Sequence, residues 1–542
     1  MHKGERMRVA LIHVRDPQFY AVPNQARAEN GDPQIMGFPP IGIMSLSSVL
    51  KANGHECLMF DQANPDTPNS HILDKVGEYQ PDLVGLSFLS TTSYPYAKML
   101  SREMRERFPN QRQAFGGVFV SLNADLVKQQ CPEVDFICCG DGEPLLLDLL
   151  DNLETPENVK GLVFERDGKV VVNPFQAIQR DLDRWPIPDR QSLPMRFIES
   201  MPLDVPAVLS MKRYTTMQTS RGCPWPCVFC DIPIFNEGKW RDWSAEHVLD
   251  EFEELEQQGY EAVYFVDDHF LLRPKRIEAI CNGIIERGIK ITWGCEGRVD
   301  SVAQHLFPLM AKANCVSLMF GIESGSQKIL DRLKKGQTKE QIMTAVAAAK
   351  KAGIEVVHGF FVVGSPDETI EDIQETFEFA STLRVDSFGF NRLCVYRGTP
   401  LWQEYLQRGI VNDVHDWYKY FKCSAIDPTC LPGDVIHAER SLGLRRLMIY
   451  KLTHYPIQSF KILRRFFRHM SYREMWLLLF KPFLGKKDGA TPAETISRQI
   501  EHARDKDRAA ELTQMHDGLV RRVAAAATAE REKYLAEASS GN

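Results

Sequence analysis

The chain has 542 residues, a formal net charge of −7 and 44% hydrophobic residues. This length exceeds that of one ordinary hydrophobic core, and the composition excludes a mostly disordered, fibrous or polytopic membrane chain. The balance of 65 Lys and Arg against 72 Asp and Glu argues against a dedicated nucleic-acid-binding protein, because phosphate binding needs a basic face.

The first part of the chain alternates short apolar runs with helical patterns such as 43–52 and 96–107. This alternation is typical of a doubly wound, mainly parallel α/β sheet. The predicted strands are Arg8–His13, Cys57–Phe60, Leu83–Ser87, Ala114–Gly117 and Asp135–Cys138. We therefore predict a Rossmann-like domain over residues 1–155, followed by a connector, 156–205, that contains a hairpin over 161–172.

Beyond the connector, the alternation of strand and helix resumes with different loops. The predicted strands are Tyr214–Thr219, Ala262–Val266, Ile289–Trp293, Val316–Phe320, Glu355–Val363 and Ser387–Tyr396. A helix after the first strand is well marked, because Ser244 is a good N-cap residue and Gly259 is placed to end it. These βα units predict a partial TIM-like (β/α)6 barrel over residues 206–410, with its chemistry where strands end and loops begin.

Strand patterns stop near residue 410, and we predict a helical C-terminal region over 411–542. Within it, residues 445–487 contain eleven Lys or Arg and one acid, Glu474, beside several aromatic residues. The simplest interpretation is an amphipathic helical surface that packs on the barrel. The same charge asymmetry also fits peripheral contact with a membrane surface or a lipid-like substrate.

The 13 cysteines, with no secretory signal at residues 1–8 and no apolar run of membrane-spanning length, predict a cytoplasmic, reducing location. Three of them, Cys223, Cys227 and Cys230, fall within eight residues on a loop after the first barrel strand. Structural zinc normally takes four ligands, whereas a 4Fe-4S cluster held by three thiolates leaves one iron open to an outside ligand. The spacing favours the open cluster, and a zinc or non-catalytic iron-sulfur protein is the alternative.

The CxxxCxxC spacing after the first strand of a partial barrel resembles that of the radical S-adenosylmethionine (SAM) enzymes. Further matching segments are 266–268, 297–300, 320–326 and 359–364. The resemblance implies that Cys223, Cys227 and Cys230 hold a 4Fe-4S cluster and that SAM chelates its open iron. It also implies reductive cleavage of SAM to methionine and a 5′-deoxyadenosyl radical, with electrons from an external flavodoxin- or ferredoxin-type donor.

Several other residues are candidates for binding SAM. Glu323 and Ser324 follow a barrel strand beside glycines and can hydrogen-bond to ribose hydroxyls. Arg298 is a bidentate donor suited to the methionine carboxylate, and Asp267 and Asp268 can hold the ammonium. At least one of the two aspartates has an alternative role as a helix cap or loop acid.

Phe229 lies between two of the cysteines, where it packs near adenine or shields the cluster from water. His269, His358, Arg392 and Tyr396 follow strand patterns and are candidates to face the substrate. Their position at the barrel rim is the only signal they carry, and a lone histidine more often has a structural role.

The N-terminal domain resembles the cobalamin-binding-type domain that precedes many radical SAM enzymes, through segments 37–42, 86–87, 90–92, 116–117 and 140–143. Their glycines and hydroxyls at strand ends allow corrin or its phosphate tail to approach the backbone. The predicted contacts are Gly42, Ser87, Ser90, Thr91, Gly116, Gly117, Gly140 and Glu143. No DxHxxG segment offers an axial histidine, and Phe119 stands where relatives often have histidine. Several family members share this fold without using cobalamin.

Together these features predict a radical SAM enzyme that acts on an unactivated carbon of a small molecule, for which a hydrophobic substrate is one option. The resemblance extends to the class that includes anaerobic magnesium-protoporphyrin IX monomethyl ester cyclase and cobalamin-dependent methyltransferases. Cobalamin-dependent methyl transfer is the leading hypothesis, and oxidative cyclisation or rearrangement of a tetrapyrrole or lipid-like substrate is the alternative. RNA modification is disfavoured because no basic RNA-binding β-domain is recognisable.

Replacing any one of Cys223, Cys227 and Cys230 by Ala should abolish cluster assembly and SAM cleavage together, because each supplies one of three protein ligands. The fold should largely survive, since the barrel has its own hydrophobic core. Iron and sulfide content after anaerobic reconstitution measures assembly, and 5′-deoxyadenosine formed with dithionite and SAM measures cleavage. Retained cleavage in any of the three variants would refute the ligand assignment.

Overall fold

The computed structural model describes residues 5–16, 39–62, 67–91, 93–193, 213–301, 303–411, 431, 433–456 and 459–460. Some of the sequence-based predictions fall wholly or partly outside these residues. They concern Gly37 and Phe38 with Thr92 in the cobalamin-type segments, the end of the connector and the start of the barrel domain over 194–212, the basic stretch beyond residue 460, and most of the helical C-terminal region.

The first domain is a doubly wound sheet, as predicted. Its strands are β1 Arg8–His13, β2 Glu56–Asp61, β3 Leu83–Ser87, β4 Gln113–Gly116, β5 Phe136–Cys138, β6 Leu162–Arg166 and β7 Lys169–Val172. They lie in the order β2-β1-β3-β4-β5-β6-β7, and the first five are parallel. The helices are α1 Ile41–Ala52, α2 Asn69–Tyr79, α3 Tyr94–Arg107, α4 Val118–Gln130 and α5 Gly142–Asp151. Apolar side chains of α2, α3 and α4 pack on one face of the sheet and those of α1 and α5 on the other.

The hairpin predicted over 161–172 forms and becomes part of this sheet. It turns at Asp167 and Gly168, which have φ angles of 52° and 72°. Positive φ at both central residues is the requirement of the type I′ turn that matches the twist of two antiparallel strands. The sequence analysis assigned this hairpin to the connector. Because β6 pairs with β5, the hairpin instead belongs to the first sheet.

The second domain contains the six predicted parallel strands in the open order β15-β14-β13-β12-β11-β8. They are β8 Tyr214–Met217, β11 Ala262–Phe265, β12 Thr292–Gly297, β13 Cys315–Glu323, β14 Val356–Val363 and β15 Ser387–Arg392. Two short antiparallel strands lie between β8 and β11 in the chain, namely β9 Ser220–Arg221 and β10 Arg241–Asp242. This architecture is the predicted partial barrel.

Nine α-helices accompany these strands within the described residues. They are α6 Ile232–Phe235, α7 Ala245–Gln257, α8 Pro274–Arg287, α9 Phe307–Lys312, α10 Gln327–Arg332, α11 Lys339–Lys351, α12 Ile370–Thr382, α13 Pro400–Gln407 and α14 Gly433–His454. The described 3-10 turns are Pro156–Asn158, Phe270–Leu272 and Gln304–Leu306. The Ser244 side chain caps α7 as predicted, by accepting the His247 N–H at 3.1 Å. No helix in the described part of the chain is both long and apolar enough to cross a bilayer.

The third barrel strand was predicted too early in the chain. Ile289 and Ile291 are buried, but they lie in the turn that follows α8, and the strand begins only at Thr292. Gly294 and Gly297 in β12 resemble loop residues in a sequence. A Cβ at Gly297 would lie 2.5 Å from Leu271, so the absence of a side chain there permits close packing of the 3-10 turn that follows β11.

The two domains share one apolar cluster. Val395, Leu401 and Trp402, which follow the last barrel strand, are buried together with side chains of the first sheet, and Phe229 packs against the same cluster. The Leu401 N–H also donates to the Val228 carbonyl at 3.0 Å. The cysteine-containing loop therefore lies at the junction of the two domains.

Gly117→Ala should destabilise the first domain more than Gly140→Ala does. Both glycines have φ near 110°, but a Cβ at Gly117 would lie 2.1 Å from the Phe88 carbonyl oxygen, whereas one at Gly140 would meet nothing within 4 Å. We expect losses of about 3 kcal/mol or more for Gly117→Ala and ~1–2 kcal/mol for Gly140→Ala. Hydrogen exchange of β3 and β4 in urea measures both, and equal losses would contradict the packing described here.

Candidate active site

The two ends of the cysteine-containing loop lie close together. Gly222 has a φ of 89°, and a Cβ there would lie 2.1 Å from the Lys239 carbonyl oxygen. Cys227 is buried, Cys223 and Cys230 are half-buried, and the Cys230 N–H donates to the Cys227 carbonyl at 3.2 Å. Cys227 and Cys230 therefore lie at the two ends of one turn of the loop, and Cys223 lies four residues before that turn.

The thiols fit a metal centre by their chemistry. Burial raises the pKa of Cys223 and of Cys230 above its ordinary value, so each needs a nearby cation to become a thiolate. Soft sulfur donors are those that iron-sulfur clusters require. Across the described residues, however, no three His, Cys, Asp or Glu side chains already stand in metal-holding geometry. The ligand assignment therefore stays a prediction from the motif.

Asp267 holds the start of the loop. The residue is 2% exposed, and its carboxylate accepts hydrogen bonds from the Thr219 N–H at 2.6 Å, the Thr219 hydroxyl at 2.5 Å and the Ser220 hydroxyl at 2.6 Å. Arg276 donates to the Thr219 carbonyl at 2.6 Å from the same side. These contacts engage both oxygens of Asp267 with the protein, which supports a loop role in place of a contact with the SAM ammonium.

Asp268 differs from its neighbour. One of its oxygens accepts the Gly222 N–H at 2.7 Å, and the residue is exposed. It is thus the aspartate of the pair that stays accessible to a ligand while also contacting the residue before Cys223. Its predicted contact with the SAM ammonium is compatible with this position.

Arg298 lies directly beside the loop. Asp300 accepts from Arg298 Nε at 2.9 Å and from Nη2 at 2.8 Å, and the guanidinium stacks 4.1 Å from the centre of the Trp225 ring. Arg298 Nη1 lies 3.8 Å from Cys227 Sγ. Arg298 therefore contacts Cys227, Trp225 and Asp300 together.

Glu323 and Arg298 are connected through a residue that the sequence analysis missed. Lys335 forms a salt bridge of 2.6 Å with Glu323, and its carbonyl accepts from Arg298. Glu323 has a φ of 69° at the end of β13, a costly conformation for a non-glycine residue that is common at functional sites. Ser324 is fully buried, and its hydroxyl lies 2.9 Å from that of Thr376 and accepts the Ser326 N–H. Glu323 is therefore better placed than Ser324 to meet a ribose.

The four residues predicted to face the substrate from the barrel rim differ in their surroundings. His269 and His358 are both buried, and burial lowers the pKa of each to about 4, so both are neutral at neutral pH. His358 Nδ1 lies 2.8 Å from the Ser387 hydroxyl. Arg392 ends β15, and Tyr396 is half-buried in the segment after it. Each position stays a prediction with respect to substrate.

The barrel interior contains polar groups that carried no motif. Tyr264, Met319 and Phe360 belong to an apolar cluster separate from the core beneath the helices. The Tyr264 hydroxyl donates to Glu296 and lies 3.2 Å from Met319 Sδ. The period-two alternation of inward-facing residues along β11 and β12 is the signal that would have identified Tyr264 and Glu296.

The predicted cobalamin contacts lie near the C-terminal ends of the first sheet. Ser87 ends β3, Gly116 ends β4, and Gly117 and Gly140 follow strands. The strand order reverses between β1 and β3, which is where doubly wound sheets open a ligand crevice. His13, which ends β1 and lies 2.9 Å from Asp61, also stands at this crevice and was missed.

Four further residues of that set are more restricted. The Ser90 hydroxyl donates to Asp16, and Thr91 is buried beside it. Gly42 is exposed in the first turn of α1, where a Cβ would meet nothing. Glu143 is buried and bound by Arg221 of the barrel domain at 2.5 Å. Phe119, in the position that lacks histidine, packs against Phe88 and Tyr94.

Comparison with known proteins agrees with this geometry. Residues 217–380 match the radical SAM superfamily, and residues 37–150 match the B12 binding domain. An uncharacterized methyltransferase of Pyrococcus horikoshii is 32% identical over 395 residues, which cover 72% of this chain and 82% of the relative.

Two further comparisons span more of the chain. The anaerobic magnesium-protoporphyrin IX monomethyl ester cyclase of Rubrivivax gelatinosus is 27% identical, over 85% of this chain and 81% of the relative. The structure of the cobalamin-dependent S-adenosylmethionine radical enzyme OxsB, with aqua-cobalamin and S-adenosylmethionine bound, is similar at a TM-score of 0.65 and 17% identity. That likeness covers 98% of this chain and 84% of the other, and it shows a shared fold.

Asp267→Asn should lower cluster occupancy more than Asp268→Asn does. An amide at Asp267 replaces one of two acceptor oxygens by a donor, and the three donors of Thr219 and Ser220 lose about 2 kcal/mol of charge-assisted bonding. An amide at Asp268 can still accept the Gly222 N–H.

Iron and sulfide content after anaerobic reconstitution compares the two variants, and SAM binding is measured on whatever cluster forms. Loss of the cluster in Asp268→Asn, with full occupancy in Asp267→Asn, would contradict the roles read from the hydrogen bonds.

Proposed function

Because the chain belongs to the radical SAM superfamily and carries a B12 binding domain, we propose that it transfers a methyl group to an unactivated carbon of a small, partly apolar molecule. It is an enzyme of the 4Fe-4S, SAM and cobalamin type, which leaves no support for a non-catalytic iron-sulfur or zinc protein. We assign the cluster to Cys223, Cys227 and Cys230, and the cobalamin to the C-terminal edge of the first sheet.

The junction of the two domains is the observation that carries this proposal. Phe229, between two of the proposed ligands, packs against the apolar cluster of the first domain and also against Ile329 and Leu333 of the barrel domain. Arg221, two residues before Cys223, is bound by Glu143 of the first domain. Methyl transfer needs the methyl carrier and the radical source to face one substrate, and the loop contacts both domains.

When bound, the cluster supplies an electron for SAM cleavage and cobalamin supplies a methyl group. The residues of this chain hold the cysteine-containing loop in place and orient the groups that bind SAM. Asp267 fixes the start of the loop, and Arg298 Nη1 contacts Cys227 Sγ. Lys335 orients the Glu323 carboxylate as a hydrogen-bond acceptor for a ribose hydroxyl.

The barrel interior suits a substrate with an apolar body and a polar group. Val266 and Phe360 are partly exposed there beside the Tyr264 and Met319 cluster. Glu296 supplies a carboxylate at the same level, held by the Tyr264 hydroxyl. An apolar wall with few placed polar groups is the usual composition of a small-molecule site.

We also propose the following partners and location. An external flavodoxin- or ferredoxin-type protein supplies the electrons, and the reaction takes place in the cytoplasm, where thiols stay reduced. Within the basic stretch 445–487, Leu447 and Lys451 are buried against the barrel domain. The remainder of the stretch makes peripheral contact with a membrane surface.

Oxidative cyclisation is a second candidate function. It is favoured by the likeness to a protein named as an anaerobic magnesium-protoporphyrin IX monomethyl ester cyclase, which covers most of both chains. A cyclase would use the same radical chemistry without delivering a methyl group to product.

Cells that express the enzyme and are fed methyl-deuterated methionine should contain a metabolite that retains the complete deuterated methyl group. Transfer through a methyl carrier moves the carbon with all of its hydrogens, and mass spectrometry detects the shift. Cells expressing Cys223→Ala are the matched control and should lack the metabolite. An enzyme-dependent product without label would favour cyclisation or rearrangement and contradict methyl transfer.

A further inference from the structure

The cysteine-containing loop closes on a very short ribbon. Strands β9 and β10 have two residues each, pair antiparallel, and enclose all of the chain from Gly222 to Trp240 between them. An isolated two-stranded ribbon of this length has little stability of its own. We call these four residues, 220–221 and 241–242, the neck.

Two arginines stand directly opposite each other in the neck. Arg221 and Arg241 are register partners, and their side chains are only 14% and 3% exposed. Like charges directly across an antiparallel pair destabilise it, and burial increases the cost. The acid of the neck itself, Asp242, pairs with Arg273 and Arg276, so the counter-charge for Arg221 and Arg241 must come from elsewhere.

That charge comes from the first domain. Glu143 accepts from Arg221 Nη2 at 2.5 Å and from Nη1 at 3.1 Å, in a bidentate pair. Asp141 accepts from Arg221 Nη1 at 3.3 Å and also binds Arg241 through both of its oxygens. Two carboxylates thus balance two guanidinium groups, and Asp141 bridges the strands of the neck.

The other described contacts of Arg221 and Arg241 include no second carboxylate. Arg221 additionally donates to Gln218 and lies over the Trp243 ring, and Arg241 donates to Asn236 and to the Gln179 carbonyl. These contacts are with neutral groups. Within the described residues, the salt bridges of both arginines are made with Asp141 and Glu143 alone.

We propose that Asp141 and Glu143 are positioning residues that close the neck of the cluster loop from the B12 binding domain. Glu143 then acts on the loop, in place of the cobalamin contact expected from its sequence position. Gly140, which follows β5 at the ligand edge, lies next to Asp141 in the chain, so the same turn faces both proposed cofactor sites. The inference rests on the proposed function in one respect, the assignment of a 4Fe-4S cluster to the cysteines of this loop.

The test uses the full chain carrying Asp141→Asn and Glu143→Gln, anaerobically reconstituted with iron and sulfide. Leaving two buried arginines without counter-charge should raise hydrogen exchange of residues 218–243 on the order of a hundredfold and lower the iron retained per chain. Exchange in β1 and β13 should stay as in the wild type. Glu154→Gln is the matched control, because it removes the exposed partner of Arg112 in the same domain and should change neither quantity.

A double-mutant cycle separates charge compensation from general damage. Arg221→Gln combined with Glu143→Gln removes both charges of one pair, so its effect on neck exchange should be smaller than the sum of the two single effects. Strict additivity, or unchanged exchange and iron content in the acid variant, would overturn the proposal. If the acid variant unfolds as a whole, Glu143→Gln alone is judged by the same criteria. Suppose that hydrogen exchange and iron content change as expected in the variants, but the wild-type protein forms no 5′-deoxyadenosine with SAM and reductant. That result would contradict the proposed function and leave the role of Asp141 and Glu143 intact.

Discussion

Compensation of buried charge around the cluster loop is the constraint on which the rest of the site depends. A loop rich in glycine and proline has little regular structure, so partners that reach it from neighbouring elements must hold it. Asp267 binds its entry, Arg298 lies against Cys227, and Asp141 with Glu143 balances the arginines of the neck. Buried ion pairs contribute little net stability, but the loss of one partner is costly, so such pairs specify a single arrangement.

The same residues connect the two domains at the proposed active site. The apolar cluster shared by Phe229, Leu401 and the first sheet excludes water from the junction, and the Arg221 pairing sets the orientation of the loop within it. Apolar contact is non-directional, whereas an ion pair such as that of Arg221 with Glu143 is directional and favours one orientation of the loop. The predicted SAM residues follow the barrel strands, and the predicted cobalamin residues follow the strands of the first sheet.

Much of the fold could be predicted from the sequence, because apolar periodicity and turn residues act locally. The parallel strands of both sheets and the hairpin at Asp167 and Gly168 are present where the pattern indicates them, apart from β12, where two glycines and a buried turn displaced the prediction. The radical SAM chemistry that the cysteine motif implies is confirmed by the family match, whereas the ligand roles of the three cysteines stay predictions.

The partners of the charged residues were less predictable. Asp267 and Asp268 are adjacent in the chain, and the sequence did not distinguish which of them contacts the SAM ammonium. The structure shows that both oxygens of Asp267 accept hydrogen bonds from the loop. Lys335 pairs with Glu323 across a separation of 12 residues, and Glu143 pairs with Arg221 across a separation of 78. Contacts of this kind depend on tertiary packing, which no local pattern reports.

The central claim is that three thiolates hold a 4Fe-4S cluster whose fourth iron binds SAM. Mössbauer spectra of the protein reconstituted with ⁵⁷Fe, recorded before and after SAM is added, test it most directly. The account predicts a 4Fe-4S signal in which one iron site changes on SAM addition while the other three do not. A spectrum without such a cluster, or one in which no iron site responds to SAM, would contradict it.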